Sequence, residues 1–140
     1  MNLLLDTNVI SEPTRKNPAP AVLRWLAEQP EHHLFLSVLT LGELRRGILL
    51  LDDSRKHRAL LRWLENEIEP AFAGRVLDID AAVMRAWAEL QNTATRRGRS
   101  VPVLDGLIAA TALAHNLTLA TRNTADFLAT GVPLLDPWHD

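Results

Sequence analysis

The chain has 140 residues, with 15 Lys and Arg against 17 Asp and Glu, five His, a formal net charge of −2 and a hydrophobic fraction of 47%. That length and composition suit one globular domain spanning residues 1–140, able to bury roughly two-thirds of its unfolded surface without staples. The absence of cysteine excludes a disulfide scaffold, a thiolate metal site and a cysteine nucleophile, and the near-neutral balance argues against coating of DNA by bulk charge while leaving room for a local basic patch.

Taken in chain order, Asn2-Leu3-Leu4-Leu5 is a short apolar run ended by Asp6-Thr7-Asn8, the pattern of a central strand buried on both faces. A helix is expected from about Pro18 to Glu28, led by Asn17 and closed near Pro30. Leu34-Phe35-Leu36 reads as a second strand, and Ser37 as the cap of a helix from Val38 to about Leu51. Asp53 caps a helix with Leu60, Leu61, Leu64 and Ile68 at helical spacing, which Pro70 ends. Val76-Leu77 is a third strand. Asp80 caps a helix carrying Val83, Trp87, Leu90 and Ala94 on one stripe, with Arg96 and Arg97 in its last turn and Gly98 beyond. Pro102 opens a helix from Val103 to about His115, Leu117–Thr121 is a fourth strand, and Pro133-Leu134-Leu135 a short fifth. Short apolar strands alternating with amphipathic helices predict an α/β domain around a short central parallel sheet. No charged n-region precedes an apolar h-region and no apolar run approaches the ~20 residues of a membrane span, so a cytoplasmic location and no membrane partner are expected.

Ligands of open parallel sheets bind at the carboxyl ends of the strands, where Asp6 falls. Its plain alternative is a turn or capping aspartate. Glu43 shares a helix face with Leu39, Gly47 and Leu50, and a carboxylate among such neighbours needs an arginine, water or a cation. Asp105 lies in a first turn, where the helix dipole favours it, yet Ile108, Ala109 and Ala112 share its stripe, so it points along a packed face. Carboxylates brought together at about 5 Å would repel by roughly 3 kcal/mol per pair at an effective dielectric of about 20. Either their pKa values rise or a cation sits among them. Oxygen-only donors without Cys or clustered His suit Mg²⁺, with Mn²⁺ as a substitute, and such an ion activates water and stabilises charge on a phosphoryl group.

Leu5-Asp6-Thr7-Asn8-Val9-Ile10-Ser11 resembles the opening motif of PIN domains. Thr40-Leu41-Gly42-Glu43-Leu44 and Asp105-Gly106-Leu107-Ile108-Ala109-Ala110-Thr111-Ala112 resemble the second and third acidic motifs, and Thr121-Arg122-Asn123 with Asp126-Phe127 the fourth. The sequence is similar to VapC-type ribonuclease toxins, and most to their FitB branch, including Glu12-Pro13 and the terminal Pro137-Trp138-His139-Asp140. The resemblance implies a PIN-like fold and a metal-dependent endoribonuclease acting on single-stranded or looped RNA, leaving a 3′ hydroxyl and a 5′ phosphate. By position, Asp6 and Asp105 would be the principal metal ligands, and Glu43 would complete the cluster. The fourth position, usually acidic, is Asn123 here, which predicts one firmly held ion rather than two, with Asp126 as a possible substitute acid. Thr7, Asn8, Thr121 and Arg122 would contact the acids or the substrate. Among Arg45, Arg46, Arg96, Arg97, Arg99 and Arg122, Arg122 is the favoured backbone contact. The resemblance further implies a homodimer and a small antitoxin with a ribbon-helix-helix part, through which alone operator DNA would be bound.

Two other classes compete. A phosphotransferase of the haloacid-dehalogenase type wants a second acid two residues after the first, where Asn8 stands. A non-catalytic PIN-like module that binds RNA or its antitoxin is favoured by Asn123. A nucleotide-binding Rossmann domain would need a Gly-rich loop after the first strand, which is absent.

Overall fold

Leu3–Leu5 form β1, whose three side chains are each at most 1% exposed. In the computed structural model, which describes residues 1–139, this strand is the middle of a five-stranded sheet of order β3-β2-β1-β4-β5. The terminal motif residue Asp140 lies outside the described residues. The other strands are β2 (Leu34–Ser37), β3 (Val76–Leu77), β4 (Thr118–Ala120) and β5 (Leu134–Leu135), and every pairing is parallel. The expected α/β architecture is therefore the observed one. Leu3 sits opposite Leu34 on one side and Thr118 on the other. The chain builds outward from β1 through β2 to β3, then returns to β1's other side, so the strand order reverses beside β1. A crevice at the carboxyl edge is the normal consequence of such a reversal.

Alternation along the strand divides the core into two layers. Leu3 and Leu5 pack with Val9, Ile10, Leu36, Leu44, Leu64 and Phe72; Leu4 packs with Val83, Ile108, Leu119 and Phe127. Helices α1 (Thr7–Ser11), α2 (Pro20–Glu28), α3 (Val38–Leu49) and α4 (Ser54–Trp63) precede β3 in the chain, and α6 (Ala81–Arg96), α7 (Val103–Ala114) and α8 (Thr124–Phe127) follow it. Ser37, Asp53 and Asp80 cap α3, α4 and α6 through their side chains, as expected. Trp25, Trp63 and Trp87 pack against the core layers, for Trp87 the role its stripe predicts.

Three local expectations need correcting. Thr7 and Asn8 do not merely end the first strand: Asp6 turns the chain at once into α1, with its own carboxylate accepting the Thr7 amide. The α2 helix begins at Pro20 rather than Pro18, because Pro20 pushes the residue before it out of the helical region and Ala19 is extended, with ψ 118°. Pro70 does not end its helix. A π-helical turn over Leu64–Ile68 lets the Glu69 amide reach the Leu64 carbonyl. The proline then falls in the first turn of α5 (Glu69–Ala71), where its missing N–H is not needed.

Helices α6 and α7 lie close together because residue 106 is glycine. A Cβ there would stand 2.6 Å from Gln91 Nε2 and 3.2 Å from Trp87 Nε1. This contact fixes the start of α7, one residue from Asp105.

Candidate active site

Asp6 leaves β1 at the point of strand-order reversal. Its amide donates to the Ala120 carbonyl at 2.9 Å, prolonging the pairing with β4. The carboxylate is 8% exposed and is held at both oxygens: Oδ1 accepts the Thr7 amide at 2.8 Å and Oδ2 accepts the Thr121 hydroxyl at 2.8 Å. Thr121 follows β4 and is itself fully buried. Its oxygen also receives the Asn123 amide at 3.0 Å and Asn8 Nδ2 at 3.4 Å. Asn8 completes the web, its Oδ1 accepting the Arg122 amide at 3.3 Å.

Glu43 projects from α3 and accepts the Thr7 hydroxyl on Oε1 at 2.9 Å. Its partner is therefore a threonine, not an arginine. The buried stripe of α3 is Thr40, Leu44 and Ile48, so Glu43 stands at the margin of the core. Leu50, expected on the same packed face, is 66% exposed. Asp105 behaves as its pattern predicts: Ile108, Ala109 and Ala112 are buried, and Asp105 sits half-buried at the head of that stripe.

The carboxyls feel one another. Burial, with Asp126 adding to it, pushes Asp6 above the usual carboxylate range despite the bonds from Thr121 and Thr7. Burial also raises Glu43, with Asp6 and Asp105 contributing and the Thr7 bond opposing. Asp105 is raised by burial and then by Asp6 and Asp126. None of these three carboxyls forms an ion pair with Lys, Arg or His among the described residues. Acids that influence one another without a cationic side chain to balance them have the donor chemistry of a hard divalent ion site.

Among the described residues no three Asp, Glu or His side chains are placed to hold an ion by themselves. The donor chemistry still fits Mg²⁺, which is normally bound through one or two carboxylates and keeps several waters. Asp6 and Asp105 would hold it, and Glu43 would reach it through water.

Two residues follow the fourth strand with different roles from those their order in the chain suggests. Asn123 precedes α8 but its side chain makes no capping bond. Asp126, inside α8, is the residue whose charge reaches both Asp6 and Asp105. A cavity of about 340 Å³ opens beside Asp105 and Asp126 and is also lined by Arg99 and Ser100. Arg45 is occupied elsewhere, 3.3 Å from Glu69 and 3.5 Å from Glu65. Of the arginines named from sequence, Arg99 shares this cavity with Asp105 and Asp126, and Arg122 follows Thr121, the partner of Asp6. The Arg122 guanidinium carbon lies 5.2 Å from the centre of the Trp138 ring, a contact that no local spacing announces.

The PIN domain family model matches residues 3–132. Toxin FitB of Neisseria gonorrhoeae is 44% identical over 138 residues, 99% of each chain. VapC ribonuclease Y4jK of Sinorhizobium fredii is 41% identical over 137 residues, 98% of each. The crystal structure of FitAcB from Neisseria gonorrhoeae superposes with a TM-score of 0.95 at 43% identity, covering 99% of both chains.

Proposed function

Since this chain belongs to the PIN-domain family, we propose that it is a Mg²⁺-dependent endoribonuclease, the toxin of a toxin–antitoxin pair, hydrolysing phosphodiester bonds in single-stranded or looped RNA. The observation that carries this reading is the meeting of Asp6, Glu43 and Asp105 at the carboxyl edge of the sheet, each pushed up and none paired with a basic side chain. It is supported by relatives named as a toxin and as a ribonuclease. Mn²⁺ is the expected substitute ion.

A bound divalent ion would supply an activated water and neutralise charge at phosphorus. The chain's own residues do the rest. Thr121 and the Thr7 amide hold one oxygen each of the Asp6 carboxylate and so fix its orientation. The Thr7 hydroxyl fixes Glu43, whose raised affinity for protons suits it to take one from water. Arg99, beside Asp105 and Asp126, and Arg122, next in the chain to Thr121, offer guanidinium groups to the RNA backbone. Asp126 adds charge felt by Asp6 and Asp105, but Asn123 leaves the fourth position itself without an acid. One tight Mg²⁺ site is expected by titration.

The deciding assay incubates antitoxin-free protein with structured RNAs in Mg²⁺ and in chelator. Cleavage with Mg²⁺ that stops on chelation bears the reading out, and cleavage that survives chelation defeats it. A second reading, a binding module without catalysis, draws on Asn123 and on the absence of a three-ligand cluster among the described residues. A folded protein that binds RNA or antitoxin but cuts no RNA would establish it. Further proposed partners are a second copy of the chain and a small ribbon-helix-helix antitoxin that brings operator DNA, in the cytoplasm. Among the described residues no helix is long and apolar enough to cross a membrane.

Thr121→Val tests the clamp. The buried Asp6 carboxylate would lose a hydroxyl bond that lowers its pKa. Cleavage is expected to fall by about 10- to 100-fold, as for lost supports of metal ligands. The acid limb of the pH–rate profile should move to higher pH, because Asp6 then keeps its proton longer. A profile that drops in height without moving would refute the clamp.

A further inference from the structure

The residue that follows Thr121, the partner of Asp6, is an arginine whose guanidinium lies over an aromatic ring. We propose that Trp138 is a positioning residue for Arg122, and that the stacked pair forms a subsite for a phosphate of the RNA strand at the entrance to the acids. This rests on the nuclease reading above.

Arg122 is fixed at both ends. Its backbone follows Thr121, the partner of Asp6, and its amide donates to Asn8 Oδ1 at 3.3 Å. Its guanidinium lies over the Trp138 ring at 5.2 Å. Among the described residues it forms no ion pair, whereas Arg15 and Arg45 do. A guanidinium stacked on an indole spends its flat face and keeps its in-plane N–H donors free, and those donors match phosphate oxygens in pairs. A phosphate nearing this acidic edge is repelled, so a fixed cation is the chemistry the approach requires.

The strand pairing explains how a residue so near the end of the chain reaches this place. β5 lies beside β4 with Ala120 opposite Leu135, and the Thr121 amide donates to the Leu135 carbonyl at 3.0 Å. The segment after β5 therefore emerges next to Arg122. A turn then sets the ring, with the Trp138 amide donating to Asp136 Oδ1 at 2.8 Å and the His139 amide to the Asp136 carbonyl at 3.1 Å. Trp138 is half-buried and packs against the layer containing Leu3 and Leu5, so the ring is anchored rather than adrift.

The test measures binding of a labelled, short single-stranded RNA in EDTA across a salt series, and steady-state cleavage of the same RNA in Mg²⁺, for Trp138→Leu, Trp138→Phe, Arg122→Ala and the Arg122→Ala/Trp138→Leu pair. Trp138→Leu keeps apolar packing and removes the π face. It is expected to raise Kd and KM about five- to tenfold, with the loss falling on KM more than on kcat, while Trp138→Phe retains most of the affinity. In Trp138→Leu and Arg122→Ala alike, the slope of log K against log salt should shrink by about 0.7, one phosphate contact on a single strand. Trp138→Leu should add nothing in the Arg122→Ala background. Independent, additive losses in the pair would overturn the proposal, as would an unchanged Kd and salt slope in Arg122→Ala, whose exposed side chain makes folding a minor concern. Wild-type protein that binds the strand but cuts nothing defeats the nuclease reading, and loss of binding in the variants then still supports the subsite. Wild-type protein that does not bind the strand in EDTA overturns the subsite, and its cleavage in Mg²⁺ then decides the nuclease reading separately.

Discussion

Asp6→Asn is expected to reduce RNA cleavage by about three orders of magnitude or more, the scale seen when a preorganised electrostatic group is removed from a reaction centre. The substitution keeps the shape of the side chain and removes its charge, so it separates charge from architecture. The new Oδ1 can still accept the Thr7 amide that starts α1. The new Nδ2 meets Thr121 Oγ1, which already receives the Asn123 amide and Asn8 Nδ2. That hydroxyl then has more donors than lone pairs, and one of the bonds must lapse. Against this cost stands the relief of a buried charge that Asp126 destabilises and that itself burdens Glu43 and Asp105. At neutral pH without metal the two effects oppose, and the thermal midpoint should be at least that of the wild type. Cleavage near the wild-type rate in a well-folded Asp6→Asn protein would remove Asp6 from the mechanism.

The sheet and the acids were open to sequence reasoning because they rest on local rules. Three leucines before an aspartate identify a buried central strand, and the i, i+3, i+4, i+7 set from Asp105 identifies its face. Less local features were hidden for specific reasons. The capping reading of Asp6 holds, but the helix it starts has five residues, too few positions for periodicity to register. Pro70 breaks a helix only when its neighbours lack another hydrogen-bond register, and the π-helical turn provides one. The effect of Asp126 on both Asp6 and Asp105 depends on the turn into α8, which spacing within the motif does not describe. The stack of Arg122 on Trp138 depends on β5 pairing with β4. No spacing within either segment contains that information.

The stability of the metal-free protein should carry an inverted pH dependence at its active site. Asp6, Glu43 and Asp105 all bind protons more tightly in the folded chain than the ordinary values of 3.8 for Asp and 4.5 for Glu. Between those ordinary values and the raised ones, the folded chain holds more protons than the unfolded chain. Stability then falls as pH rises. The contribution is fully present below the ordinary values, where both states are protonated, and is lost as pH climbs through the raised ones. Carboxylates that gain a cationic partner on folding do the reverse. The clean measurement is the thermal midpoint of wild type relative to Asp6→Asn in EDTA, from about pH 4.5 to neutral. The wild type should lose ground steadily as pH rises. Adding Mg²⁺ at neutral pH should reverse the loss, because the ion binds the ionised carboxyls of the folded state. At a free concentration about a hundred times Kd this is worth ~2.7 kcal/mol, or about 10 °C for a domain of this size. The same addition near pH 4.5 should do much less, since protons then occupy the oxygens. A wild-type midpoint that gains on Asp6→Asn as pH rises in EDTA would show that a cationic side chain, and not a metal ion, balances these acids.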